Sequence, residues 1–166
     1  MNFEIRYETE QDIKAIEAVT TAAFSASEYG LNNEVLIINT LREQQALSIS
    51  LVAVLKEQII AHIALSPVEI SDGSANWYGL APVSVLPEYQ NQGVGSYLIN
   101  RALSEIKFKG AQGCVLLGDP QFYKRFGFRA NPDLTLEGVP AEYFLQLCFA
   151  AKQAKGTVTF HSAFSI

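Results

Sequence analysis

The 166-residue chain carries twelve Lys and Arg against seventeen Asp and Glu, a formal net charge of −5 at pH 7, with 49% apolar and 17% charged residues. That balance argues against nucleic acid, whose non-specific affinity comes from neutralising phosphates with Lys and Arg, and it argues for a buried core rather than disorder. The length suits one domain over residues 1–166; with no apolar run of about 18 residues and a polar alternating segment straight after Met1, neither a membrane span nor a leader is expected, and the protein reads as cytoplasmic. Cys114 and Cys148 are too few and too far apart for a disulfide framework or a zinc cluster, and His62 and His161 lie far apart without an acid-rich motif beside either, so no metal site is expected.

Phe3, Ile5 and Tyr7 alternate with Glu4, Arg6 and Glu8, the pattern of a half-buried strand. Thr9-Glu10-Gln11-Asp12 has the spacing of a helix N-cap, and Ile13, Ile16, Val19 and Ala23 give one helical face behind it. Ser25 to Asn33 is polar and reads as a loop; Asn33 to Gln44 resumes helical spacing through Val35, Leu36, Ile38 and Leu41, with Glu28 and Glu34 as charges in this region. Ser48 to Leu55 and Ile59 to Ser66 read as a hairpin joined by Lys56-Glu57-Gln58, and their apolar content suggests central strands covered on both faces. His62 interrupts the second run. Ser71-Asp72-Gly73-Ser74 is a turn, and Ala75 to Leu80 leads on.

The stretch from Val83 to Leu98 organises the rest. A β-branched run ends at Pro87, a short polar loop follows, and Gly93 and Gly95 open a segment of helical spacing with Val94, Leu98, Ala102, Ile106, Ile99 and Leu103 on its apolar side. Pro82, just ahead of this strand, lacks a donor and predicts a break or bulge in its pairing. A helix start leaves backbone N–H groups without intrahelical partners and carries about half a positive charge, so the amides from Asn91 to Ser96 suit a diphosphate. The spacing excludes a P-loop, which needs Gly-Lys-Ser/Thr here, and a Rossmann fingerprint, which needs a third glycine where Leu98 stands. Gly110 and Gly113 end the helix, and Cys114 to Leu117 reads as a parallel partner strand reached by a right-handed crossover. Tyr143 to Phe149 and Thr157 to His161 supply two further strands, expected to pair antiparallel, with a polar connection from Ala150 to Lys155 between them.

Gln90-Asn91-Gln92-Gly93-Val94-Gly95, preceded by Val85-Leu86-Pro87-Glu88-Tyr89, resembles the Gln/Arg-x-x-Gly-x-Gly/Ala pyrophosphate loop of the GNAT superfamily of acyl-CoA N-acetyltransferases. Tyr123-x-x-x-Gly127-Phe128 resembles that family's second signature. Gly118-Asp119-Pro120 with Phe122-Tyr123-Lys124-Arg125-Phe126-Gly127-Phe128 is similar to one bacterial subgroup of predicted N-acetyltransferases. The resemblance covers almost the whole chain and is strongest from Leu80 to Phe128. It implies an α/β (α+β) fold: a mixed, strongly twisted sheet of about seven strands flanked by about four helices, with a V-shaped split between two parallel central strands. It implies acetyl-CoA as cosubstrate, its acyl-pantetheine arm hydrogen-bonded along Val83, Ser84 and Val85 and its diphosphate held by Asn91, Gln92, Gly93, Val94, Gly95 and Ser96. A homodimer is frequent in such families.

The expected reaction moves the acetyl group to a primary amine by direct attack in a ternary complex, since neither Cys falls in the two motifs. A backbone N–H near Val85 is the candidate donor to the acetyl oxygen, typically worth about 3 to 4 kcal/mol. Tyr123 is the candidate acid for the departing thiolate, because a phenol of pKa about 10 keeps its proton at neutral pH. Glu69, His62 and Glu34, in that order, are the candidate bases. The alternative reading is an acyl-CoA-binding or sensing module without catalysis. The acceptor is open, because fold analogy does not choose among amines.

Overall fold

The computed structural model describes residues 1–25 and 33–165; positions 26–32 of the expected loop, Glu28 among them, lie outside the described residues. In chain order the elements are β1 (Glu4–Tyr7), α1 (Ile13–Ser25), α2 (Glu34–Glu43), β2 (Ile49–Leu55), β3 (Gln58–Ile70), β4 (Trp77–Val85), α3 (Val94–Phe108), β5 (Gly113–Leu117), α4 (Pro120–Tyr123), β6 (Arg129–Ala130), β7 (Leu134–Thr135), β8 (Phe144–Cys148) and β9 (Gly156–Phe160). The strands form one mixed sheet in the order β1-β2-β3-β4-β5-β8-β6, while β9 pairs with the far end of β3 and β7 pairs with β9. Among the described residues no helix is long and apolar enough to cross a membrane.

Period-two patterning in β2 and β3 sends alternate side chains to opposite faces. Ile49, Leu51, Ile63 and Leu65 meet Leu98, Ala102 and Ile106 of α3 on one face. Val52 meets Ile16 and Val19 of α1 and Ile38 of α2 on the other. The Thr9 N–H donates to Asp12 Oδ2 at 2.7 Å and fixes the entry to α1, and Arg6 holds the same carboxylate with two bonds of 2.7 and 3.1 Å. Within α2 the buried residues are Ile37, Ile38 and Leu41, whereas Leu36 is 54% exposed and leaves the face expected of it.

The β2–β3 connection is shorter than expected. Lys56 (φ 49°) and Glu57 (φ 68°) form a two-residue turn with both residues left-handed, and Gln58 already belongs to β3. β3 also continues past Ser66 to Ile70, because its last residues gain a second neighbour: Val68, Glu69 and Ile70 pair with Phe160, Thr159 and Val158. The two late strands therefore do not pair with each other as expected. β8 occupies the free side of β5, and β9 takes the β2-side edge of β3 beyond the start of β2, so that Val68 lies between Trp77 and Phe160.

The expected irregularity at Pro82 lies inside β4 rather than ahead of it. Ile63 pairs with Val83 and Leu65 with Leu80, so Ala81 and Pro82 together face the single residue Ala64, a bulge. Beside it, β4 and β5 pair in parallel only from Trp77–Gly113 to Gly79–Val115, after which β4 runs on to Val85 and β5 to Leu117 without a ladder between them. This is the split expected between two parallel central strands.

Candidate active site

Backbone groups on a strand face its two neighbours alternately. The Leu86 N–H donates to the Ile60 carbonyl at 2.9 Å, so Leu86 and, two residues back, Ser84 turn their main-chain groups toward β3. Val83 and Val85 consequently turn theirs toward the split. The Val85 carbonyl there accepts a 3.0 Å bond from Gln90 Nε2, which ties the following loop to the strand end. Ser84 differs from the other two expected arm-binding residues: it is fully buried and its main-chain groups face β3 rather than the split.

The loop after β4 makes a single 3-10 turn at Pro87–Tyr89 and then passes through Asn91 (φ 63°) and Gly93 (φ 86°) into α3. A left-handed residue at each of these positions turns successive N–H groups inward. No side chain caps α3, so the N–H groups of Val94, Gly95 and Ser96 keep the unpartnered character of a helix start. A cleft of about 550 Å³ lies over them, lined by Val83, Val85, Asn91, Gly93, Val94, Gly95 and Ser96 together with Tyr89, Gln90, Ile99, Phe122, Tyr123 and Arg125. Gln92 does not line it; its amide donates to the Glu88 carbonyl at 3.0 Å and braces the loop from outside. Among the described residues Arg125 is the one charged side chain in the lining, stacked 4.5 Å over the Phe122 ring and donating to the Phe122 carbonyl. In a chain of net charge −5 this guanidinium is the local complement to an anion.

Tyr123 closes the cleft from the opposite side. Asp119 caps α4 by accepting from the Gln121 N–H at 2.9 Å, and the short helix delivers Tyr123 into a cage of Phe122, Phe126 and Phe128 with ring centroids 4.9 to 6.2 Å away. Burial pushes its phenol pKa above the usual value. Gly118, at the end of β5, lies directly under the tyrosine ring, where a Cβ would overlap it.

A second cavity of about 320 Å³ sits on the far side of the same residues and includes Phe24, Leu80, Ala81, Pro82, Leu117 and Phe164. Among the described residues it shares only Val83 and Tyr123 with the first cleft, so these two stand at the passage between them. Glu34, from the first turn of α2, lines this second cavity. It is the one expected base candidate brought to Tyr123. Glu69 lines neither space: it is exposed on the β3 overhang opposite Thr159, because β3 runs past the start of β4.

His62 is likewise absent from both spaces and fully buried. Arg42 grips Glu8 with bonds of 2.8 and 2.9 Å, Ser50 donates its hydroxyl proton to Glu8, and Ser50 Oγ lies 2.8 Å from His62 Nε2. With its own proton committed to Glu8, Ser50 accepts from Nε2–H, which makes His62 a neutral, structural imidazole. Burial lowers its pKa from 6.5 to about 4, against the opposing pull of Glu8. Between those values the unfolded chain binds a proton that the folded chain refuses, so stability is lost as pH falls from about 6.5 toward 4, by about 3 kcal/mol in full. Urea unfolding at pH 7 and pH 4.5 is expected to show this fall, and His62→Gln to flatten it; an unchanged slope in the variant refutes the assignment.

Cys114 is buried, with its thiol pKa pushed up by burial, and neither Cys114 nor Cys148 lines the cleft. Sequence reasoning passed over Tyr89, Ile99, Phe122 and Arg125 as lining residues. Arg125 had a signal, a cation two positions after Tyr123 in a chain poor in them.

A family model described as an acetyltransferase (GNAT) domain matches residues 46–130. The uncharacterized N-acetyltransferase YhbS of Escherichia coli K12 is 32% identical over 97% of this chain and 98% of its own length. A GNAT family acetyltransferase from Brucella melitensis, solved in complex with acetyl-CoA, is 43% identical, covers 98% of both chains and superposes with a TM-score of 0.88. Escherichia coli YhbS, solved in complex with CoA, is 29% identical with a TM-score of 0.91, covering 100% of this chain and 93% of that one. On the family model and these full-length likenesses together, the chain belongs to the GNAT family of acetyltransferases.

Proposed function

We propose that this GNAT acetyltransferase transfers the acetyl group of acetyl-CoA to the primary amine of an acceptor by direct attack within a ternary complex. The observation that carries the reading is the passage at Val83 and Tyr123, where a cleft floored by helix-start amides meets a second cavity containing a carboxylate. The diphosphate rests on the amides from Asn91 to Ser96 beside Arg125, and the pantetheine arm runs into the split along the main chain of Val83 and Val85. Acetyl-CoA suits this cleft because its charge is met by local N–H groups and one guanidinium, while the long-range field is of the wrong sign.

The amine, deprotonated, attacks the thioester carbon from the second cavity, and the Val85 N–H stabilises the oxygen that gains charge. The N–C bond forms, the C–S bond breaks, Tyr123 protonates the leaving thiolate, and the nitrogen gives up its surplus proton. We assign to Glu34, which lines the same cavity as Tyr123, the role of receiving protons from the acceptor, directly or through water. Holding both reactants in line supplies a further part of the rate. Acetyl-CoA is an intracellular metabolite, which fits the cytoplasmic location expected from the sequence.

Incubating the protein with acetyl-CoA and a panel of primary amines, and reading free CoA thiol, tests the reading. Amine-dependent thiol release by protein that binds acetyl-CoA in calorimetry is the expected result. Binding without release from any amine of a broad panel identifies a sensing module instead, and absence of binding removes the donor assignment.

A further inference from the structure

The cavity behind Tyr123 does not end there. It shares Asn33, Ile37, Ala81, Leu117 and Phe164 with a third space of about 560 Å³, which opens between β9, the turn after β7 and the C-terminal 3-10 turn Ser162–Ser165. The volume lies within the range of small-ligand sites, roughly 300 to 1,000 Å³. Its walls are mostly apolar: Ile37, Leu117, Leu136, Val158 and the paired rings of Phe160 and Phe164, whose centroids are 5.4 Å apart. Leu117, common to both spaces, is 49% exposed at the end of a strand whose preceding residues are buried, so about half of its apolar surface is left uncovered.

The charges are one-sided. The inner space has Glu34 and the outer has Glu137, and among the described residues no Lys, Arg or His lines either. Glu69 stands just outside, as the cross-strand partner of the lining residue Thr159. An acceptor carrying a carboxylate beside its amine would leave that anion buried without a partner, next to acids of its own sign. A long polycation would need a succession of acids where the cavity presents aromatic and aliphatic walls.

We propose, resting on the acetyl-transfer reading above, that the acceptor is a small primary amine with an apolar, ring-sized body and no carboxylate. Its nitrogen lies at Glu34 beside Tyr123, and its body lies against Leu117, Phe160 and Phe164. Such a molecule places its one polar group at the reaction centre and its apolar surface where the protein leaves apolar surface uncovered.

The experiment compares four acceptors at fixed acetyl-CoA: phenethylamine, phenylalanine, spermidine and an N-acetylated lysine peptide. Phenethylamine is expected to give a kcat/KM at least tenfold above each of the others. Leu117→Ala and Phe164→Ala, with thermal midpoints recorded to exclude unfolding, are expected each to raise KM for phenethylamine about tenfold and to leave the acetyl-CoA Kd within twofold. Equal or better use of phenylalanine, spermidine or the peptide overturns the proposal, as does release with none of the four by protein that binds acetyl-CoA; both results leave the donor assignment intact. Failure to bind acetyl-CoA at all removes the underlying reading, and calorimetry separates that case from the others.

Discussion

Tyr123→Phe is expected to lower kcat about a hundredfold while leaving the Kd for acetyl-CoA within twofold. Positioned proton transfer contributes about 10²- to 10⁴-fold to enzymatic rates, and a thiolate of pKa about 8 to 9 leaves far more readily when a proton is delivered as the C–S bond breaks. Burial holds the Tyr123 phenol protonated well beyond neutral pH, so the donor form is fully populated under ordinary conditions. Phenylalanine keeps the ring that packs against Phe122, Phe126 and Phe128, and with it the shape of the passage. The loss is therefore expected to fall on chemistry, because the proposed diphosphate and arm contacts lie on other residues. Steady-state thiol release with calorimetry on the same preparations checks it. A variant that turns over like the parent removes Tyr123 from the mechanism.

Ser96→Asp is expected to weaken acetyl-CoA binding about a hundredfold or more without weakening the fold. Ser96 is the third residue of α3, and an acid in the first turn of a helix stabilises it by about 0.3 to 1 kcal/mol through the dipole. The same carboxylate lies in the lining of the cleft, where like charges about 4 Å apart at an effective dielectric of 20 repel by about 4 kcal/mol. The two effects have opposite signs, which separates the anion-site assignment from a merely structural role for the loop. Thermal midpoint and Kd measured side by side decide the matter. If the variant binds acetyl-CoA normally, the diphosphate does not rest on this helix start.

The elements that form the cleft were legible because they are local. Gly93 and Gly95 announce a bare helix start, the apolar spacing from Val94 to Ile106 gives α3, and Tyr123 follows in a recognisable aromatic segment. Ser84 was not separable from Val83 and Val85 by pattern, since one residue of register decides whether main chain faces β3 or the split. The acceptor half depends on contacts between distant segments. β9 joins the overhang of β3 rather than β8, and this carries Glu69 away from Tyr123 while bringing Phe160 and Phe164 to the rear wall. Nothing in local periodicity reports such a pairing. His62 misled for a related reason: a lone imidazole in an apolar strand marks either chemistry or a buried polar contact, and its partners Ser50 and Glu8 come from two other strands' worth of chain.

The split between β4 and β5 gives the donor site an unusual resilience to drift. Val83 and Val85 turn peptide groups toward the split, and peptide groups survive almost any exchange of side chain, so on the proposed reading an alanine scan across this strand reads as silence where the arm would bind. Backbone ester or proline replacement at these two positions would expose what the scan misses.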